Sequence, residues 1–499
     1  MFVAILAGFA EMTGAQEPQA APASDAVETI RSAARLVVLD VVVTDKAGNP
    51  VRNLTKDAFT IIEDGVSQNV ASFEASEPNA SGPSPRAAKE TGASGHALRT
   101  GTPRAVNLIV LDELNSEFLE QAYARVAIGR FLRSHGPRLS NPTALLILGQ
   151  PRIELLHDYT QDSAALLEAL KKRHAELPRI LLSGEMRSSE DRLNSTLAAL
   201  NLIADANRHY AGRKNVIWIG PGFPALNSNL FIQPEVVGGA IQDVGNVLLD
   251  ARIVVYTLDP RGLEVTPVSY NGQDPGGQME GQLLLEQIAP ETGGRIFRGR
   301  NDIDVEIATS IDDGNSYYTL SYYPSNRDWN GKFRRVHIAV RREGLVARTR
   351  QGYFSVAESP ANDQELDTIL SRAVINPVSY HALNVQASVK ASSQQPRSRT
   401  FKVFVGRQGL EWQTSSDGDH RCEVTIVQAS ISAAGKVTAH TVKELEGTVA
   451  AKKFAKDWDK PMAFEVTSDV PADSAHFRIV VRDHATGDMG TTDIAAQPH

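Results

Sequence analysis

The sequence has a single cysteine, Cys422, in 499 residues. One cysteine excludes an intramolecular disulfide, an iron–sulfur cluster and a zinc site built from several cysteines. Clustered positive charge is lacking as well. The formal net charge is −8, and no group of Lys and Arg residues collects on a predicted helix or strand face. We therefore expect no nucleic acid among the partners.

Long apolar runs are also missing, so no segment reaches the roughly eighteen residues that a membrane-spanning helix needs. Only the N-terminus has the pattern of a targeting segment: Met1–Ala10 is a short apolar run, and small residues follow it up to Ala15. That order is typical of a secretory signal peptide. We predict a signal peptide over 1–15, no transmembrane segment beyond it, and an exported protein that is periplasmic, cell-surface or secreted.

Sequence motifs of common enzymes are absent: there is no G-x-S-x-G, H-E-x-x-H, Walker A or G-x-G-x-x-G. His157 and Asp158 are neighbours in a strand pattern, so their side chains point to opposite faces and form no dyad. His209 is expected to cap a helix or face solvent. Cys422 lies in a β pattern, where a small buried hydrophobe is expected rather than a nucleophile. We predict that the protein is not an enzyme.

The middle of the chain alternates strand and helix patterns, which predicts a mainly parallel sheet with helices on both faces. We assign this doubly wound α/β domain to 104–300. The predicted strands are Val106–Leu111, Thr143–Leu148, Glu154–Tyr159, Asn215–Ile219 and Arg252–Thr257. The predicted helices cover about 117–134, 163–175, 194–211, 234–249 and 280–292. In the first helix the apolar residues at helical spacing are Phe118, Ala122, Val126 and Ile128, and the polar stretch 184–192 is expected to be mobile.

Short β patterns flank this block at 34–76 and 314–356. Each flank has too few strands for a stable unit of its own. We therefore expect them to pair as one discontinuous β-sandwich with the α/β domain inserted. Residues 380–496 predict a separate β-sandwich. Composition predicts a tether at 16–33 and a flexible linker at 77–103.

Polar residues follow the predicted parallel strands at one edge of the sheet, where ligands of such sheets bind. Asp112 ends the first strand, Ser116 follows four residues later, and Asp259 ends another strand. Gly220-Pro221-Gly222 forms either a sharp turn, a partner-contacting loop, or both. Asp112 itself is open to two interpretations: a ligand-binding carboxylate, or one that accepts backbone N–H groups at the start of the next helix.

Several local sequences together resemble the bacterial VWFA-related domain family, a group of exported proteins with a von Willebrand factor A (VWA)-like domain. The similarity covers about 35–356, and FRIVVRDHATGDMGT (477–491) suggests that the C-terminal sandwich belongs too. The matching segments are RLVVLDVVVTDKAGNPVRNLTKDAFTIIEDG (35–65), VNLIVLDELNS (106–116), KNVIWIGPGFP (214–224), VVYTLDPRGL (254–263), SYYTLSYYPSN (316–326) and RTRQGYF (348–354).

The resemblance implies a metal-ion-dependent adhesion site, where Mg²⁺ or another divalent cation is completed by an acidic group of the partner. Its metal ligands map onto Asp112, Ser116 and Thr196. Leu114 stands where the family has a second serine, and Pro221 where it has a final aspartate, so the site is degenerate. Glu113 and Asn115 are candidates to replace the missing ligands.

These observations predict an exported, non-enzymatic VWA-like protein that binds an unidentified protein partner at the cell envelope. We call the expected contact surface the rim; it consists of Asp112, Asn115, Ser116, Thr196, Gly220, Pro221, Gly222 and Asp259. One alternative is an envelope hydrolase or enzyme accessory with a site of dispersed carboxylates on the same rim. Buried ionisable groups with shifted pKa values would favour it. Another alternative is a structural protein whose metal site is vestigial and whose sandwiches make the contacts.

Overall fold

The structure is a computed structural model. It describes residues 36–75, 105–149, 152–173, 189–222, 234–261, 288–356, 362–391 and 397–496. The predicted signal peptide (1–15), tether (16–33) and linker (77–103) lie outside these ranges. Within them, no helix is both long and apolar enough to cross a membrane.

A six-stranded sheet forms the centre of the α/β domain. Four short strands precede it: β1 Val37–Thr44, β2 Phe59–Glu63, β3 Val66–Gln68 and β4 Val70–Ala75. The central sheet itself consists of β5 Val106–Asp112, β6 Arg138–Leu148, β7 Ile153–Asp162, β8 Lys214–Ile219, β9 Ile253–Leu258 and β10 Ile296–Phe297. Its strand order is β10-β9-β8-β5-β6-β7, and only β7 runs antiparallel to its neighbour.

The order is that of a doubly wound sheet, and β5 lies inside it with all seven residues buried. The helices that the structure describes here include α1 Phe118–Ser134, α2 Ser163–Lys172, α3 Ser189–Asn207, α4 Pro234–Asp250 and α5 Ile303–Asn315. Residues 288–291, the described part of the predicted helix 280–292, are helical as well. Helices α1, α2 and α5 share an apolar cluster with one face of β5, and α3 and α4 share a second cluster with the other face. Helices therefore cover both faces, as predicted.

Three local predictions need correction. Helix α5 was not expected, because the predicted α/β domain ended at 300 and only strands were predicted directly after it. Its residues Ile303, Ile307 and Ile311 recur every four positions and face one apolar cluster. In α1, Phe118 and Val126 are exposed rather than buried, while Ile128 is buried. The described part of the stretch expected to be mobile, 189–192, is the first turn of α3.

Strands of the two flanking segments hydrogen-bond to each other. The second segment contributes β11 Tyr317–Tyr322, β12 Phe333–Val340, β13 Val346–Arg348 and β14 Gly352–Phe354. One sheet has the order β13-β1-β11-β4 and the other β14-β12-β2-β3, so each sheet mixes strands from both segments. The two sheets enclose one apolar core that includes Leu39, Ile61, Leu320 and Ile338. The chain therefore leaves this sandwich after β4, forms the α/β domain, and returns to the same sandwich at β11.

The C-terminal region is a second sandwich, preceded by helix α6 Asp363–Ile375. Its strands are β15 Val385–Ala391, β16 Ser398–Val405, β17 Gln413–Thr414, β18 His420–Ser432, β19 Val437–Val449, β20 Met462–Asp469, β21 Ser474–Asp483 and β22 Met489–Ala495, with a short helix α7 at Ala451–Phe454. One face of β18 and β21 joins α6 in the apolar cluster that also holds α3. The α/β domain and this sandwich therefore share a continuous core.

The predicted fold class, an α/β sheet with helices on both faces together with all-β units, is confirmed.

Candidate functional site

The predicted site begins at Asp112, the last residue of the central strand β5. Its carboxylate is fully buried and accepts four hydrogen bonds. Oδ1 accepts from the backbone N–H of Asn115 at 3.0 Å and from Asn115 Nδ2 at 3.1 Å. Oδ2 accepts from the same Nδ2 at 2.9 Å and from the indole Nε1 of Trp218 at 3.1 Å. Burial raises the pKa of Asp112 to about 6, although the Asn115 and Trp218 hydrogen bonds oppose that shift.

Asn115 connects the loop after β5 to helix α3. Its Nδ2 atom also donates to the hydroxyl of Thr196 at 3.2 Å, and that hydroxyl donates to the backbone oxygen of Arg192 at 2.9 Å. Arg192 is half-buried, and it interacts electrostatically with Asp112. Asp112, Asn115 and Thr196 are therefore brought together, as the sequence led us to expect, but Arg192 was not among the predicted site residues.

Unsatisfied polar atoms surround this connection. In the part of the chain that the structure describes, Asn115 Oδ1, Ser116 Oγ and Arg192 Nε are buried and have no hydrogen-bond partner. Buried polar atoms are normally paired. The loop thus has two oxygens, and helix α3 one N–H group, whose hydrogen bonds the described residues do not satisfy.

The loop after β8 is shaped by Asp112. A Cβ atom built on Gly220 would lie 2.6 Å from the Cβ of Asp112, closer than real Cβ contacts allow. Gly222 has a φ of +87°, which favours glycine. The sharp-turn interpretation of this loop is thus supported, and its contact with a partner stays a prediction. The following Phe223 and Pro224 lie outside the described residues.

Asp259 and Glu113 have partners of their own. Asp259 follows β9 on the same sheet edge, and its carboxylate accepts from Nε and Nη2 of Arg261 at 2.9 and 2.6 Å. Glu113 pairs with Arg125 of α1. Both carboxylates are therefore engaged by arginines, which does not favour either as a replacement metal ligand.

The donor set around Asp112 does not fit a divalent-metal site of the usual kind. Mg²⁺ needs several oxygens with free lone pairs. Here both oxygens of Asp112 already accept N–H groups, and Leu114 is buried in the apolar cluster. Within the described ranges, no group of three His, Cys, Asp or Glu side chains is arranged to hold a metal. Of the two interpretations of Asp112, a carboxylate that accepts N–H groups fits the structure better than a ligand-binding carboxylate. Metal binding by Asp112, Ser116 and Thr196 stays a prediction.

Histidines and the cysteine lie elsewhere. The ring of His157 contacts the backbone oxygen of Asp158, whereas the Asp158 carboxylate pairs with Nε2 of His381 at 2.8 Å. His209 lies 3.1 Å from Asp488 of the C-terminal sandwich. Both pairs connect the α/β domain to the C-terminal region, and sequence spacing gave no signal for either.

Cys422 is buried, and burial raises the pKa of its thiol to about 11. It is therefore a buried hydrophobe, as expected.

Two large apolar side chains are exposed beside the site. Phe118 and Leu119 begin helix α1, directly after the loop that holds Asn115 and Ser116, and are 41% and 78% exposed. Leu119 was not singled out in the sequence. Phe118 was noted in the sequence only as one of the apolar residues at helical spacing in the first predicted helix.

No protein-family model and no curated protein matches the chain. Among solved structures, the TFIIH p34 N-terminal domain is similar, with 17% identity over 41% of this chain and 96% of that chain and a TM-score of 0.23. The SpRpn10 VWA domain is similar at 11% identity over 41% of this chain and 95% of that chain, also with a TM-score of 0.23. Such low scores carry no argument about function. The strand order and the helices on both faces show a doubly wound α/β domain, which is the fold class predicted from the sequence.

Proposed function

We propose that the protein is an exported, non-enzymatic VWA-like protein that binds another protein through the rim of its α/β domain. The observation that carries the proposal is the exposure of Phe118 and Leu119 at the rim. Scattered exposed apolar residues are ordinary, but a pair of them beside unsatisfied polar atoms is what a protein-binding surface offers. Export is the part of the proposal that rests on the N-terminal sequence alone.

Position supports the same conclusion. The pair follows the carboxyl end of β5, the edge at which ligands of open α/β sheets bind. The scaffold below is stiff, since β5 is fully buried and Asp112 fixes the loop through three hydrogen bonds from Asn115 and is itself held by a fourth from Trp218 of β8. A stiff surface loses little conformational entropy when it binds.

One observation favours the alternative of a hydrolase. Burial raises the pKa of Asp112 to about 6 and that of Glu306 to about 7, near the range of a general acid. However, the oxygens of Asp112 are occupied by N–H groups, and Glu306 is 2% exposed. An acid–base group must reach its substrate, so both carboxyl groups are poorly placed for catalysis.

In-cell photocrosslinking tests the proposal. A photoreactive residue replaces Leu119 at the rim in one full-length variant. A second variant carries it at Val442 of β19, an exposed apolar position on the C-terminal sandwich. The proposal expects a discrete adduct with one protein, identified by mass spectrometry, from position 119 and none from position 442.

The opposite pattern has a clear meaning. Adducts from position 442 alone would overturn the rim as the contact surface and favour the structural alternative, in which the sandwiches make the contacts. If neither position gives an adduct, the proposed protein partner is overturned.

A further inference from the structure

The unsatisfied atoms at the rim point to a ligand. Ser116 is 7% exposed, yet its hydroxyl has no hydrogen-bond partner among the described residues; the same holds for Asn115 Oδ1 and Arg192 Nε. Leaving such buried groups unpaired is costly, because they lose their hydrogen bonds to water without gaining others. Three of them at one junction indicate a site whose remaining hydrogen-bond partners come from outside the chain.

The three groups belong to one connected structure. Asn115 and Ser116 are consecutive, and Asn115 reaches α3 through the hydroxyl of Thr196. Thr196 lies one helical turn after Arg192 and donates to its backbone oxygen. Residues four apart lie on the same helix face, so Arg192 faces the loop together with Thr196.

Charge decides what kind of ligand fits. Arg192 is a half-buried cation that forms no ion pair within 4 Å in the described structure; burial lowers the pKa of its guanidinium, and the charge of Asp112 opposes that shift. A guanidinium is permanently charged and is suited to carboxylate recognition. A divalent cation bound to Asp112 would be repelled by Arg192. The charge of Arg192 is therefore a second argument against a metal at Asp112, beside the lack of free oxygen ligands.

We propose that Arg192 serves as the fixed cation of this site, so that the rim binds a carboxylate of an acidic peptide segment without any metal. This inference rests on the proposed function and adds the chemistry of the partner. The carboxylate accepts N–H groups of Arg192 and the O–H of Ser116. A backbone N–H of the same peptide donates to Asn115 Oδ1, which is otherwise an acceptor without a donor.

A singly charged group suits the site better than a phosphate. Asp112 lies beside Arg192, and a phosphate would bring close to two negative charges toward that carboxylate. The exposed Phe118 and Leu119 next to the loop provide an apolar contact for the residues that flank the acid. The expected ligand is therefore an acidic peptide with an apolar neighbour.

An array of capped peptides tests the inference on the full-length protein. The peptides come in pairs in which one Glu or Asp, flanked by apolar residues, is replaced by Gln or Asn. Phosphoserine peptides form a third set, and every measurement is made with EDTA and again with Mg²⁺. We expect the wild type to prefer the acidic member of a pair in both conditions, with affinities of the best pairs measured by fluorescence anisotropy.

Two substitutions give the decisive comparison. Arg192→Met should lower affinity for the acidic peptide by roughly tenfold to a hundredfold, the effect of losing a charged hydrogen bond, and should remove the preference. The control Arg152→Met changes another arginine beside α3, one that lines a neighbouring cavity of about 420 Å³, and should leave affinity unchanged. Arg192→Lys guards against misfolding, because it keeps the charge and should retain part of the preference.

Ser116→Ala separates binding from stability. Because the hydroxyl has no partner in the protein, its removal should leave the melting temperature unchanged or higher, while affinity for the acidic peptide falls. Four results would each overturn the inference: no acid preference in the wild type, a stronger preference for phosphoserine, a preference that EDTA abolishes, or an Arg192→Met variant that binds like the wild type. A crosslink at position 119 beside any of these results would leave the proposed function standing.

Discussion

Gly220 and Asp112 approach each other so closely across strands β8 and β5 that a Cβ on Gly220 would lie 2.6 Å from the Cβ of Asp112 and 3.2 Å from its Oδ2. Gly220→Ala should therefore destabilise the protein by about 1–3 kcal/mol, because the buried carboxylate has no room to move away. Urea unfolding followed by circular dichroism measures the effect.

Gly149→Ala is the matched control, since Gly149 follows β6 at the same edge of the sheet and the nearest atom to its added Cβ is 3.8 Å away. Equal effects of the two substitutions would show that the approach to Asp112 is not what requires glycine.

Divalent cations should not bind at Asp112. We expect titration calorimetry of the full-length protein with Mg²⁺, Mn²⁺ and Ca²⁺ to give no saturable heat, because the N–H groups of Asn115 and Trp218 occupy the carboxylate and Arg192 opposes a second positive charge. Saturable binding that disappears in an Asp112→Ala variant would contradict this and restore the metal site predicted from the sequence.

The sequence predicted elements with a clear hydrophobic pattern, either an unbroken apolar run or a regular alternation. Strand β5 was recognisable because its apolar run is unbroken, and its terminal carboxylate placed the site at the correct edge. Helix α5 was missed because its apolar residues, at Ile303, Ile307 and Ile311, lie between strand patterns and cover only one narrow face.

At the site, residues close in sequence were predictable and distant ones were not. Asp112, Asn115 and Ser116 come from one loop. Arg192 lies in a polar stretch that was expected to be mobile, and only the packing of α3 against the sheet places it beside Asp112. The sequence also gave no sign that Trp218, one strand away, donates to Asp112. Such relations depend on tertiary packing, which local patterns do not encode.

The ion pair between Asp40 and Arg252 should hold the inserted domain to the sandwich. Asp40 on β1 accepts from Nη2 of Arg252, just before β9, at 2.6 Å. Burial raises the pKa of Asp40, but Arg252 and Arg213 outweigh it and hold that pKa below its ordinary value. Arg252→Ala removes the ion pair of a buried carboxylate, leaving it the hydrogen bond from Thr319 and the more distant charge of Arg213, and should cost about 3 kcal/mol of stability in urea unfolding.

Two further variants check that account of the ion pair. Adding Asp40→Asn to Arg252→Ala should recover part of the loss, because the buried side chain that lost its ion pair then carries no charge. The surface pair of Arg208 with Asp205 is longer, at 4.0 Å, so Arg208→Ala should cost less than about 1 kcal/mol. A double variant no more stable than Arg252→Ala alone would argue against the unpaired charge as the cause.

Glu306 should make stability depend on pH. The residue is 2% exposed, both of its carboxylate oxygens lack a hydrogen bond within the described ranges, and Arg300 approaches only to 3.6 Å. Burial raises the pKa of Glu306 from 4.5 to about 7; Arg300 opposes the shift, while Asp302 and Asp259 add to it. The folded protein thus favours the protonated carboxyl group. The resulting stability is fully present below about pH 4.5 and is lost as the pH rises through 7.

Glu306→Gln removes the ionisable group. It should stabilise the protein at pH 8, by at most about 3 kcal/mol, and have little effect at pH 5, where Glu306 is already protonated in the folded state. Thermal unfolding at both pH values measures the difference. Glu168→Gln is the control, because the Lys171 hydrogen bond lowers the pKa of this exposed carboxyl group and its stabilising contribution is lost as the pH falls. A Glu306→Gln gain of equal size at pH 5 and pH 8 would mean that packing, and not ionisation, is responsible.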